Sequence, residues 1–313
     1  MTETILMFEP LLDPLQARLE ARYDILWAKD AGGDTRYENI RAVVSGGGTG
    51  LPDAWFDRLP NLGLIAINGV GTDKVDLDEA AKRTIHVATT PNVLTDDVAD
   101  LGLALTLAVL RSLRKGENLV RDGRWAAGEK LPLSRSLKGK KFGIVGLGQI
   151  GQAMGERAAA FRMDVGFWNR SSKIVAGWTS FASVEELAGW ADILAIAVAA
   201  TPQTNGLVDA SALAALGEEG VLVNVARGSV VDEAALLDAL ESRAIAGAGL
   251  DVFLNEPEID PRFFALDTVF LAPHQGSATV ETRTAMAELV WDNLDAFFAG
   301  RVPPTSLTAD RFA

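Results

Sequence analysis

Three side chains able to do chemistry stand directly after apolar runs in the second half of the chain. Arg227 lies in "NVARGSVVDE", Glu256 in "DVFLNEPEI" and His274 in "LAPHQGSAT". An imidazole has a reference pKa of about 6.5, so His274 can carry and donate a proton near neutrality. A neighbouring carboxylate such as Glu256 would stabilise the imidazolium and fix the ring tautomer. A guanidinium such as Arg227 can hold a carboxylate and a carbonyl oxygen together and stabilise developing negative charge. Reduction of a 2-oxo acid by hydride needs these three functions. Taken singly, each residue has a plainer reading: Arg227 as a surface ion-pair partner, Glu256 as a solvated loop acid, His274 as a packed residue. The joint placement after strand ends favours catalysis, because ligands of open α/β sheets bind there. Asp251, in "GLDVF", reads from its position as a strand-end or capping acid. The second histidine, His86, sits between Ile85 and Val87 on an expected strand and reads as structural.

A nucleotide loop precedes these residues. "GLGQIG" places Gly146, Gly148 and Gly151 in G-x-G-x-x-G spacing, with Gln149 and Ile150 between them, after the apolar run "KFGIV" and before the helical pattern "QAMGERAAAF". Such glycines serve a tight turn, close approach of backbone to pyrophosphate, and close helix–strand packing. The helix N-terminus offers unpaired N–H groups to phosphate. NAD sites usually carry an acid about 20 residues on, for the ribose 2′-hydroxyl. Here that place holds Asn169, Arg170 and Ser171, with Lys173 near. Cationic and hydroxyl groups suit a 2′-phosphate, so NADP(H) is expected to be preferred, with NAD(H) possible.

The elements that must position these residues alternate along the chain. "ETILMF", "DILWA", "RAVVSG", "LGLIAIN" and "IHVATT" read as five strands with helical patterns between them, and "VGFW", "ILAIAV", "VLVNVA", "AGAGLDVF" and "VFLAP" continue the pattern after the glycine loop. Strands separated by helices imply parallel sheets covered on both faces. The expected fold is α/β: two doubly wound parallel-sheet domains, Rossmann-like or flavodoxin-like, joined by long helices. One such helix is expected from Thr95 to Arg121, which contains no proline, and another at the end, stopping at Gly300.

Composition bounds the partners. At 313 residues the chain can hold two cores. A net charge of −13 disfavours nucleic acid and anionic membranes. The absence of cysteine removes disulfides and thiolate metal sites, and no metal is expected. The start "MTETILMFEP" does not read as a signal peptide. The apolar run "LGLALTLAVL" falls short of the roughly 18 residues of a membrane span. A cytoplasmic protein is expected.

With "NGVGTDKVDLDEAAKRTIHVATTPNVLTDDVAD", "GIVGLGQIG", "NVARGSVVDEAAL", "AGLDVFLNEP" and "PHQGSAT" in this order, the chain resembles the D-isomer-specific 2-hydroxyacid dehydrogenases over nearly its whole length. "FWNRS" and "PHQGSAT" are most similar to the glyoxylate/hydroxypyruvate reductase branch, which includes hydroxyphenylpyruvate and 2-ketogluconate reductases. The resemblance implies a substrate-binding domain of residues 1–97 and 281–313 and an NAD(P)-binding Rossmann domain of residues 98–280, with the active site in the cleft. It implies that Arg227, Glu256 and His274 are catalytic. Substrate would be bound by Arg227, His274, the backbone of Val70 and Gly71, and the loop containing Ser45, Gly46 and Gly47. Asp251 would meet the nicotinamide carboxamide, and Thr201, Pro202, Val225, Ala226 and Gly276 would line the cofactor pocket. A homodimer is also implied, paired through the arm "RDGRWAAGEKLPLSRSL", where Trp125 would contact the partner. The rival readings are a corepressor-like NAD(P)H sensor without catalysis, and a formate or phosphite dehydrogenase. Formate dehydrogenases carry Gln in place of Glu256.

Overall fold

The computed structural model describes residues 2–33 and 35–312. The chain divides into two compact units, one of residues 1–94 and 277–313 and the other of residues 95–276. Both expected boundaries lie a few residues later in sequence, inside the first turns of helices. The division itself falls where those helices begin.

In the first unit, strands β1 (Thr4–Met7), β2 (Asp24–Trp27), β3 (Ile40–Gly46), β4 (Leu64–Asn68) and β5 (His86–Ala88) alternate with helices α1 (Leu15–Arg22), α2 (Ala54–Arg58) and α3 (Leu77–Lys82). The sheet is parallel throughout, in the order β2-β1-β3-β4-β5. Alternation along each strand divides its core between two faces. Ile5, Met7, Ala42 and Val44 face one side, while Leu6, Val43, Ile65 and Ile67 face the other. Each such fully buried side chain contributes about 1.5–3 kcal/mol. The five-residue α2 gives too short a period to be read from sequence.

The second unit contains α4 (Thr95–Leu110), α5 (Leu113–Arg121), β6 (Lys141–Val145), α6 (Gln149–Ala160), β7 (Asp164–Trp168), β8 (Thr179–Ser180), α7 (Val184–Trp190), β9 (Ile193–Ile196), α8 (Ala210–Leu216), β10 (Val221–Asn224), α9 (Glu233–Glu241), β11 (Gly247–Leu250), α10 (Arg262–Ala265) and β12 (Val269–Leu271). Its parallel sheet runs β12-β11-β10-β9-β6-β7-β8. The order reverses beside β6, so a crevice opens at the C-terminal ends of β6 and β9. Helix α11 (Val280–Phe298) returns to the first unit and packs on β4.

The single helix expected from Thr95 to Arg121 is corrected to two. Ser112 adopts φ 49, in the left-handed region, and its N–H turns back to Val109 O. That tightened turn ends α4 with Leu110 buried and leaves Leu113 exposed at the start of α5. Propensity alone does not reveal such a break, because no proline or glycine marks it. Among the described residues, no helix is long and apolar enough to cross a membrane.

Candidate active site

The glycine loop joins β6 to α6. Gly146 has φ 96, and a side chain there would collide with the backbone of Val198, beyond β9. A Cβ on Gly151 would strike the carbonyl oxygen of Gly146. Those two glycines are fixed by packing. Gly148 differs: nothing lies within 4 Å of where its Cβ would be. Helices α7, α8 and α9 are capped by the side chains of Ser183, Asp209 and Asp232, whereas Gly148 caps α6 and supplies no side-chain oxygen. An open space at an uncapped helix N-terminus fits a pyrophosphate. Gln149 is exposed there and Ile150 half-buried.

Asn169, at the end of β7, is turned inward. Its Oδ1 accepts from Leu147 N at 3.0 Å, and its Nδ2 donates to Ser171 O and Oγ at 2.9 Å each. It therefore ties β7 to the glycine loop. Arg170 and Ser171 beside it are exposed, and Lys173 Nζ donates to Leu147 O. Across the crevice Thr201 begins a short 3-10 turn, Pro202–Thr204, and its N–H donates to Thr204 Oγ1 at 2.8 Å. Val225 is buried and Ala226 half-buried.

Arg227 follows β10 in a turn that Asn224 builds. The Asn224 carboxamide accepts from Ala226 N at 3.0 Å and donates to Arg227 O at 2.9 Å. Arg227 Nη1 donates to Ala226 O at 2.8 Å. Gly228 lets this turn press against the segment after β11, since a Cβ there would overlap the backbone of Phe253 and Leu254. Glu233 holds that segment from α9, accepting from Leu254 N at 2.9 Å.

Glu256 and His274 meet in this same region. Glu256 Oε1 accepts from Phe253 N at 2.7 Å, and its Oε2 lies 2.6 Å from His274 Nδ1. Burial, the largest single influence, pushes the Glu256 carboxyl up. The bonds from His274 and Phe253, with the charges of His274 and Arg227, outweigh it and leave it below its ordinary value. An ionised carboxylate only accepts, so Nδ1 carries the proton and Nε2 takes no part in the pair. The His274 side chain is 38% exposed.

Asp251 is 2% exposed. Its Oδ1 accepts from Gln275 N at 2.7 Å, its Oδ2 from Gly276 N at 2.9 Å, and its carbonyl oxygen from His274 N at 2.9 Å. It is the anchor of the histidine loop. Burial raises its pKa above the usual carboxylate range, although the two N–H donors and the His274 charge pull it down.

In the first unit, Ser45 and Gly46 end β3 and Gly47 follows it, and Val70 and Gly71 follow β4, its neighbour in the sheet. The N–H groups of Val70 and Gly71 take part in no hydrogen bond among the described residues. Ser45 is fully buried and its Oγ has no partner. His86 packs edge-on against Phe312 at 4.7 Å and its Nδ1 lies 2.9 Å from Ser306 Oγ. Trp125 is 64% exposed.

Asn224, Gly228 and Glu233 escaped the sequence reading. The first two carried a usable signal, since an Asn at a strand end and a Gly three residues on from the turn's start mark local turn chemistry. Glu233 carried none, because its partner Leu254 is distant in sequence.

Residues 103–276 match the model of the D-isomer specific 2-hydroxyacid dehydrogenase NAD-binding domain. A 2-ketogluconate reductase of Gluconobacter oxydans is 47% identical over 304 residues, spanning 95% of this chain and 96% of that protein. A hydroxyphenylpyruvate reductase of Plectranthus scutellarioides is 43% identical over 302 residues, with the same coverage of 95% and 96%. Among solved structures, an NADPH-dependent glyoxylate/hydroxypyruvate reductase of Sinorhizobium meliloti, in complex with NADP and malonate, aligns with a TM-score of 0.92 at 38% identity. It covers 98% of this chain and 97% of that one. Family model and relatives agree, and the chain belongs to the D-isomer-specific 2-hydroxyacid dehydrogenases, which are NAD(P)-dependent oxidoreductases.

Proposed function

We propose that this chain is an NADPH-preferring reductase that converts small 2-oxo acids of the glyoxylate/hydroxypyruvate type to D-2-hydroxy acids. The observation that carries the reading is the 2.6 Å pair of Glu256 and His274 in the unit that holds the glycine loop and Arg227. The loop of Gly146, Gly148 and Gly151, with Thr201, Pro202, Val225 and Ala226, would hold the dinucleotide. When bound, the nicotinamide supplies the hydride. Arg227 binds the substrate carboxylate and carbonyl oxygen, orienting the carbonyl and stabilising its negative charge. His274 delivers a proton from Nε2 to the alkoxide oxygen. Glu256 holds the ring by Nδ1 and fixes its orientation. In the first unit, Val70 and Gly71 offer backbone donors to an anionic substrate.

The preference for NADPH rests on Arg170 and Ser171, which are exposed past β7 with no carboxylate between Trp168 and Lys173. A homodimer paired through the arm around Trp125 and a cytoplasmic location belong to the same reading. 2-Ketogluconate and hydroxyphenylpyruvate, named for two of the relatives, are the alternative substrates. The test is cofactor oxidation with NADPH and NADH in parallel against glyoxylate, hydroxypyruvate, phenylpyruvate and 2-ketogluconate. Turnover with NADPH well above NADH is expected. Tight NADPH binding without turnover of any of them would overturn the reading.

A further inference from the structure

We infer that Glu9 is a specificity-determining residue that selects 2-oxo acids carrying hydroxyl groups on the carbon chain. The inference rests on the reductase reading above and concerns the C-terminal edge of the first unit's sheet. Strands β1, β3 and β4 are neighbours in that sheet. Glu9 follows β1 by two residues, and its carboxylate occupies the space that a side chain on Gly46 would need. Any larger residue at position 46 would expel it. Glycine at 46 and the acid at 9 are thus one arrangement, which each residue alone conceals. Beyond it, nothing lies within 4 Å of the Cβ position of Gly48, so space is open along the loop.

The carboxylate is half-buried, and Thr49 Oγ1 donates to its Oε1. No Lys, Arg or His pairs with Glu9 among the described residues. Gly46 stands opposite Asn68 in the ladder, so Asn68 shares the face that the Glu9 carboxylate covers. Thr49 fills only Oε1, and no group among the described residues donates to Oε2. This edge therefore carries acceptor capacity that its own chain leaves unfilled.

Acceptors without donors call for a ligand that brings O–H groups. A substrate chain bearing hydroxyls supplies them, whereas an alkyl or aryl chain would leave a desolvated carboxylate unpaired, and glyoxylate offers no chain at all. Sites built to bond a hydroxyl discriminate strongly against the analogue that lacks it. Repulsion by Glu9 also turns the substrate's own carboxylate away, leaving the chain's hydroxylated end beside Glu9.

Hydroxypyruvate and pyruvate differ by one hydroxyl and make the cleanest pair of probes. The ratio of their kcat/KM values with NADPH is measured for the wild type, Glu9→Gln and Glu9→Leu, with 2-ketogluconate as a polyhydroxylated third substrate. The wild type is expected to favour hydroxypyruvate by tenfold or more. Glu9→Leu should lower that ratio about tenfold, mainly through KM for hydroxypyruvate, and cut 2-ketogluconate use further. Glu9→Gln keeps the shape and one acceptor and should fall between. An unchanged ratio in both variants, or a wild type indifferent to the hydroxyl, overturns the role of Glu9 while leaving the reductase reading intact. A wild type that turns over no 2-oxo acid overturns both.

Discussion

The two sheet edges that carry site residues are built in opposite ways. At the edge of the second unit, nearly every polar group is tied: Glu256 to His274 and Phe253, Asp251 to Gln275 and Gly276, Asn224 to Ala226 and Arg227. At the edge of the first unit, Ser45 Oγ, Asn68 Oδ1 and Thr90 Oγ1 have no hydrogen-bond partner among the described residues, and glycines replace side chains from 46 to 48. A group that moves a proton must be held in position before the substrate arrives. A surface that receives the variable part of a substrate has no such need. On the proposed reading, proton transfer belongs to the tied edge and the choice of substrate to the open one.

The largest test of that contrast is His274→Ala. Removing the proton donor should lower kcat by about 10²–10⁴-fold, with the Kd for NADPH within about twofold by fluorescence titration. A kcat near wild type would take the acid role from His274. Next comes Asp251→Ala, which leaves two N–H groups, that of Gly276 buried, without an acceptor and removes a buried side chain. Urea unfolding should report a loss of about 2–4 kcal/mol. A loss of only a few tenths would mean that the histidine loop holds itself. Arg170→Ala sharpens the contrast from within the second unit, because this residue is exposed. It should raise the KM for NADPH by about 10- to 100-fold, leave NADH nearly unaffected, and leave the melting temperature where it was. Equal losses with both cofactors would end the 2′-phosphate role.

The smallest effect concerns pH. Glu256→Gln removes the carboxylate oxygen that accepts from His274 Nδ1. The same variant tests linkage. The Glu256 carboxyl lies below its ordinary value in the folded protein. Its contribution to stability is therefore present above the ordinary carboxylate range and lost as pH falls through the folded value. Melting temperatures of wild type and variant should differ most near neutrality and converge in acid. A difference that stayed the same at every pH would break the pairing.

The parts legible in the sequence are those where a residue type carries its own geometry. Gly146, Gly148 and Gly151 announced a turn and a phosphate cradle because only glycine permits them. Arg227, Glu256 and His274 stood out as candidates because each comes after an apolar run that forms a strand. Ser112 was not, since a serine gives no warning that it will enter the left-handed region. Nor was the anchoring role of Asp251, which depends on N–H groups more than twenty residues away. Asn169 was read as a cofactor-binding residue, and its bonds to Leu147 and Ser171, which tie β7 to the glycine loop, were not legible. In each case the deciding partner is brought up by the fold.

One detail of the histidine loop bears on how such proteins can change. His274 has φ 51, a conformation that costs a non-glycine residue about 1–3 kcal/mol. Asp251 and the bond to Glu256 hold it there. Glycine would occupy that backbone more comfortably, so heat resistance and turnover pull position 274 in opposite directions. A lineage or a laboratory library selected for heat resistance alone would be drawn to discard the imidazole, and its survivors would keep the fold, the nucleotide loop and the family likeness while losing the proton donor. On the proposed reading, a gain in melting temperature at position 274 would therefore come at the expense of turnover.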